Sequence, residues 1–214
     1  DLNSFGNGTY RTAKRREVVM RYSSPSTNDL SFGGGVGFRE EALGGNQLKI
    51  GGGVTWRPND RFSADLNYSW ADRNGWLLHQ ESRNMTTFNA EQWTPKVTLE
   101  YFFSARQQIR AALQWVSIRA HEDEFFMVPD SPGDLIKTDK PAGPSDSFGL
   151  SQMSFQVRYR WEIAPLSDLF VVYTRVADKG LALQDNSFSD LFEAGWRDPV
   201  NDVFVVKIRY RFGS

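Results

Sequence analysis

Near the end of the chain the stretch VFVVKIRYRF alternates strictly between two kinds of residue. Phe204, Val206, Ile208, Tyr210 and Phe212 fall on one face of an extended strand, and Val205, Lys207, Arg209 and Arg211 on the other. A helix would scatter both sets around its axis. SFQVRYRWEI repeats the pattern, with Phe155, Val157, Tyr159, Trp161 and Ile163 opposed to Gln156, Arg158, Arg160 and Glu162.

The alternation recurs upstream. QLKIGGGVTWR sets Leu48, Ile50, Val54 and Trp56 against Lys49, Thr55 and Arg57. RFSADLNYSW sets Phe62, Ala64, Leu66, Tyr68 and Trp70 against Ser63, Asp65, Asn67 and Ser69, and WTPKVTLEYF sets Val97, Leu99 and Tyr101 against Lys96, Thr98 and Glu100. Further strands are expected at 17–23, 30–39, 107–119 and 168–177, the last apolar on both faces and so without an assignable inside. That makes about nine strands, several of about ten residues, longer than the five or six usual in soluble sheets and close to what a tilted strand needs to cross hydrocarbon.

Composition narrows the class. Aromatic residues are 14% and charged residues 24% of the chain, which fits neither a disordered chain nor a helical membrane protein. No run of about 18 uncharged apolar residues occurs. A membrane strand shows lipid only every second side chain, so this absence leaves a β-barrel open. The net charge of −1 gives no nucleic-acid footprint, the basic run Lys14, Arg15, Arg16 reads as a solvated loop, no secretory leader is visible at the start, and the absence of cysteine is neutral.

These features predict an all-β, antiparallel transmembrane β-barrel in a bacterial outer membrane, with residues 1–214 as its C-terminal portion. Trp56, Trp70, Trp93, Trp115 and Trp161 lie near strand ends and are expected at the lipid headgroup level. Connections alternate between short turns at 24–29, 57–60, 104–106 and 164–167 and longer segments, the long ones expected outside the cell near 73–91, 120–147 and 178–200. Nine strands put the two ends on opposite sides, whereas a complete bacterial barrel has an even number, so the rest of the barrel is expected on a missing N-terminal part or another chain. The segment 75–88 is read as a hairpin extension; a separate crossing there would make ten.

RYRWEIAPLSDLFVVYTR, followed by SFSDLFEAGWRDPVNDVFVVKIRYRF, resembles the C-terminal barrel of a bacterial family of unknown function whose full-length members begin with a carbohydrate-binding-like β-sandwich. The likeness is most specific over roughly the last 70 residues and implies outer-membrane location and an absent N-terminal region, without an established activity. Tyr210 and Phe212 also resemble the C-terminal signal read by outer-membrane assembly machinery; Gly213 and Ser214 depart from it by following the terminal aromatic.

If the aromatic face meets lipid, the opposite face lines a lumen. It carries Arg21, Lys49, Arg57, Lys96, Arg110, Arg158, Arg160, Lys207, Arg209 and Arg211 against Glu17, Asp65, Glu100 and Glu162. The expectation is a positive lining that favours anionic solutes or a docked acidic segment; pairing of Arg with Glu across strands is the alternative. Expected partners are outer-membrane lipid and lipopolysaccharide.

No enzyme, cofactor or resident metal is predicted. His121 in HEDE lacks the second histidine of a zinc motif, although Glu122, Asp123 and Glu124 could hold calcium. The loop 121–147 is expected to lack strand structure, with Phe125, Phe126 and Met127 free to enter the lumen or grip a partner. Two other functions stay open: an outer-membrane hydrolase with rim residues His79, Glu81 and Asp65, and a soluble lipocalin-like binder with the tryptophans inward and the arginines outward.

Overall fold

The computed structural model describes residues 6–26, 29–183 and 187–212, so Gly213 and Ser214 fall outside the described residues. Ten antiparallel strands form one sheet: β1 (Glu17–Ser23), β2 (Leu30–Glu40), β3 (Asn46–Asn59), β4 (Phe62–His79), β5 (Asn84–Ser104), β6 (Gln107–Met127), β7 (Ile136–Thr138), β8 (Phe148–Ala164), β9 (Ser167–Ala182) and β10 (Asn201–Arg209), with a helix α1 (Phe188–Arg197) before the last. Each strand pairs with its neighbour in chain order, except that β8 follows β6 while β7 pairs with β6 beside that path. Among the described residues β1 pairs with β2 alone and β10 with β9 alone, so the sheet is open.

The predicted all-β antiparallel class holds, and the register shows why the alternation was so regular. Cross-strand partners keep like faces together: Val54 faces Leu66, Leu66 faces Val97, Val97 faces Leu113, and Leu113 faces Phe155. One face is therefore apolar from strand to strand, and the other carries Lys, Arg, Asn, Ser and Gly. Tight connections join β3 to β4, β5 to β6 and β8 to β9 at one end, and the longer connections lie at the other.

Two segments differ from expectation, and a third, 75–88, is the expected hairpin extension. β6 continues through HEDEFFM to Met127, with Phe125, Phe126 and Met127 paired to Thr138, Lys137 and Ile136 of β7 on one side and to the start of β5 on the other. Strand pairing, not a free loop, therefore places these residues. Residues 75–88 continue the β4–β5 hairpin, Trp76 opposite Phe88 and His79 opposite Met85, and add no crossing. Residues 188–197 form α1, whose start is fixed by a capping box: the Ser187 hydroxyl accepts from the Asp190 N–H at 3.3 Å, and the Asp190 carboxylate accepts from the Ser187 N–H at 2.8 Å.

Across β2 and β3, Gly33 faces Gly53, Gly34 faces Gly52 and Gly35 faces Gly51. The absence of side chains lets β1 approach: a Cβ on Gly35 would stand 2.7 Å from the Met20 carbonyl oxygen.

Candidate functional site

The apolar face is the exposed one. Phe38 is 46%, Ile50 48%, Trp56 49% and Ile208 65% exposed. Along each strand this band is bounded in length, from Leu30 to Phe38 on β2, Phe62 to Trp70 on β4 and Phe155 to Ile163 on β8, about nine residues each, the reach of a tilted strand across hydrocarbon.

Its limit toward the longer connections is drawn by polar groups. The Trp70 and Trp93 indole N–H groups both donate to Oε1 of Glu91, at 2.7 and 3.0 Å, so each ring lies against the band with its polar edge turned away from it. Trp56 and Trp161 stand exposed near the tight-turn end. Trp93 and Trp115 share the apolar face but are covered by α1: Phe188 stacks on Trp93 at 4.4 Å, Phe192 meets Trp115 edge-on at 5.2 Å, and the Trp115 N–H donates to the Ser151 hydroxyl at 2.9 Å. Trp115 is 5% exposed. The alternation placed these two rings on the right face; it carried no signal for the helix above them.

The register puts Arg21, Lys49, Lys96, Arg110, Arg158, Arg160, Lys207 and Arg209 together on the opposite face. Arg57 sits at the tight-turn end beside Asp60, Asp65 and Glu100, and Arg211 follows β10, its N–H donating to the Ser167 hydroxyl at 3.0 Å. Arg160 and Arg209 share the buried carboxylate of Asp168, Arg160 at 2.9 Å. Sequence reasoning missed Asp168 because β9 is apolar on both faces. Among the described residues the other eight predicted basic groups make no ion pair. Asp65 instead accepts from the Thr55 hydroxyl at 2.6 Å, and Glu100 accepts from Gln108.

On this inner face a groove of about 830 Å³ runs along β1 to β3 and reaches β5 and β6, lined by Arg21, Lys49, Lys96, Gln114, Thr55 and the glycines of β2 and β3. Residues on strands as far apart as β1 and β6 share it, so the sheet curves around this side. Toward the longer connections the same face is filled: Phe88, Ala90 and Ala120 are buried there, with Trp76, Leu78, Ile118 and Phe148 packed around them. Residues before β1 run along that rim, where the Arg11 N–H donates to the Gly133 carbonyl at 2.8 Å and the Ala13 N–H to the Ala42 carbonyl at 3.4 Å.

The other predicted groups do not assemble. Asp65 and His79 lie near opposite ends of β4, about 45 Å apart along an extended strand. His79 Nε2 is 2.7 Å from the Ser82 carbonyl oxygen and 3.5 Å from the Asn7 amide, and Glu81 sits exposed in the turn after it. Glu122 and Glu124 are ion-paired to Lys140 and Lys137, while alternation turns Asp123 to the other side of β6. Among the described residues no group of three potential ligands converges for a metal.

A family model described as Domain of unknown function (DUF5916) matches residues 5–212. The chain belongs to that family. No curated protein and no solved structure matches it. The DUF5916 match spans both faces of the sheet, α1 and the groove.

Proposed function

We propose that this DUF5916 chain is the C-terminal portion of a bacterial outer-membrane β-barrel that serves as a pore or docking component with a positively lined lumen. The observation that carries the reading is the exposed apolar band, closed off at one edge by Trp70 and Trp93 with their N–H groups turned to Glu91. About twenty large apolar side chains on that face are roughly half exposed, and at about 1 kcal/mol each the forgone burial comes to about 20 kcal/mol. That transfer energy is gained only when the face leaves water, so hydrocarbon is the better solvent for it. The lipocalin-like alternative requires the opposite arrangement of rings and arginines, and the hydrolase alternative requires His79 and Asp65 in one site.

The two free edges fit a partial barrel. β1 and β10 run in the same sense, because nine strands alternate along the path; joining them directly would make a parallel seam, whereas an odd number of further strands gives an even, fully antiparallel barrel. In that frame the tight turns face the periplasm, lipid and lipopolysaccharide meet the apolar band, and Tyr210 and Phe212 present the assembly signal.

The test is fractionation followed by electrophysiology on the natural protein. Sedimentation with outer membranes, resistance to carbonate extraction and heat-modifiable gel mobility are expected. Recovery as a soluble protein without detergent would overturn the membrane reading. In planar bilayers a reversal potential on the anion side is expected, and cation selectivity would overturn the positive lumen.

A further inference from the structure

We infer that the groove along β2 and β3 is a docking site for an extended, acidic polypeptide segment that enters from the tight-turn end. The inference rests on the reading of the inner face as a lumen wall and decides, within it, for docking over free passage. Three observations carry it. The walls hold Arg21, Lys49 and Lys96, none ion-paired among the described residues, against one lining carboxylate, Glu17, with Arg39 paired to Glu41, so the groove keeps an excess of positive charge. Its floor between Ser31 and Arg39 of β2 is interrupted by Gly33, Gly35 and Gly37, and it is about 25 Å long at the rise of a strand. That length suits seven or eight extended residues and far exceeds a single small anion.

The third observation is direction. Toward the longer connections the inner face of β4 to β6 and β8 is filled by the buried cluster around Phe88, Ala90 and Ala120, while the other end of the groove, at Ser24, Ser31 and Thr55, lies beside the tight turns. At Gly37, where an added Cβ would meet nothing closer than 3.5 Å, the bare floor lets another backbone come close, and Thr55 with Gln114 supplies neutral hydrogen-bonding groups for its amides. The aromatic residues that border the groove, Tyr22, Phe32, Phe38 and Tyr68, take outer-face positions in the strand register, which turns their rings away from it and favours a peptide over an acidic glycan.

The test uses the natural protein in detergent and a fluorescein-labelled ten-residue oligoglutamate, read by anisotropy at low and high salt. Saturable binding that weakens with salt is expected. Combined Arg21→Gln, Lys49→Gln and Lys96→Gln should weaken it at least tenfold. Gly37→Phe fills the groove where an added Cβ meets only the Val19 methyl at 3.5 Å and the Val18 carbonyl oxygen at 3.9 Å, and should abolish binding with heat-modifiable mobility retained. Unchanged affinity in a folded Gly37→Phe variant overturns the proposal, as does equal binding of oligolysine or preferential binding of a sulfated oligosaccharide. Should the protein prove soluble, the same titration without detergent still decides the groove, so the two failures are distinguishable.

Discussion

Trp70 and Trp93 stand opposite one another across β4 and β5 and give their indole hydrogens to one oxygen of Glu91. Replacing Glu91 with Ala leaves two half-buried N–H donors without this acceptor, at a cost of about 1–3 kcal/mol. Chemical denaturation should show the loss, and tryptophan emission should shift with it. An unchanged unfolding midpoint would mean that water substitutes fully for the carboxylate.

Asp168 holds Arg160 and Arg209 on the inner face. Both guanidinium groups are about half exposed and screened by water, so Asp168→Asn should lower the unfolding midpoint by less than the loss of a fully buried pair would. In the proposed pore the same change removes a negative charge beside two positive ones and should move the reversal potential further toward anions. An unchanged reversal potential would place these groups outside the conducting path.

Gly195 allows α1 to lie close to β8, since an added Cβ would stand 2.8 Å from the Ser151 hydroxyl oxygen that accepts from Trp115. Gly195→Val should lift the helix, expose Trp115 and increase its quenching by acrylamide. Retained protection of Trp115 would show that the helix shifts sideways without separating.

The capping box makes α1 sensitive to acid. Hydrogen bonds from the Ser187 side chain and backbone hold the Asp190 carboxyl below its ordinary value. A depressed folded value means that the contribution is complete above the unfolded value of about 4 and disappears as pH falls through the folded value. Acrylamide quenching of Trp115 should therefore rise below about pH 4, and Asp190→Asn should flatten that dependence. Ser187→Ala should destabilise the helix by about 1 kcal/mol at neutral pH.

Much of the sheet is legible in the sequence because one face of each strand is chemically unlike the other, as in Phe155 to Ile163 against Gln156 to Glu162. The inside of β9 is not, since Phe170 and Val172 are as apolar as Leu169 and Val171 and only the register separates them. The end of β6 was hidden because HEDE is charged on both faces, and pairing with β5 and β7 overrides its poor strand propensity. α1 did leave a signal: Ser187 three residues before Asp190, then Phe188, Leu191, Phe192 and Gly195 at helical spacing. That stretch is too short for a helix without a surface to pack on, and the surface is assembled only when Trp93, Trp115 and Met153 come together from three strands.

The three facing glycine pairs of β2 and β3 also bear on how the strands find their alignment. No side chains meet there, so the alignment depends on the contacts at either side, Phe32 with Val54 and Val36 with Ile50. In the proposed membrane setting a slip of β2 by one position would turn Arg39 toward hydrocarbon and Phe38 into water, and it is this penalty, supplied by the surroundings, that would select a single alignment for a seam with almost nothing of its own to choose by.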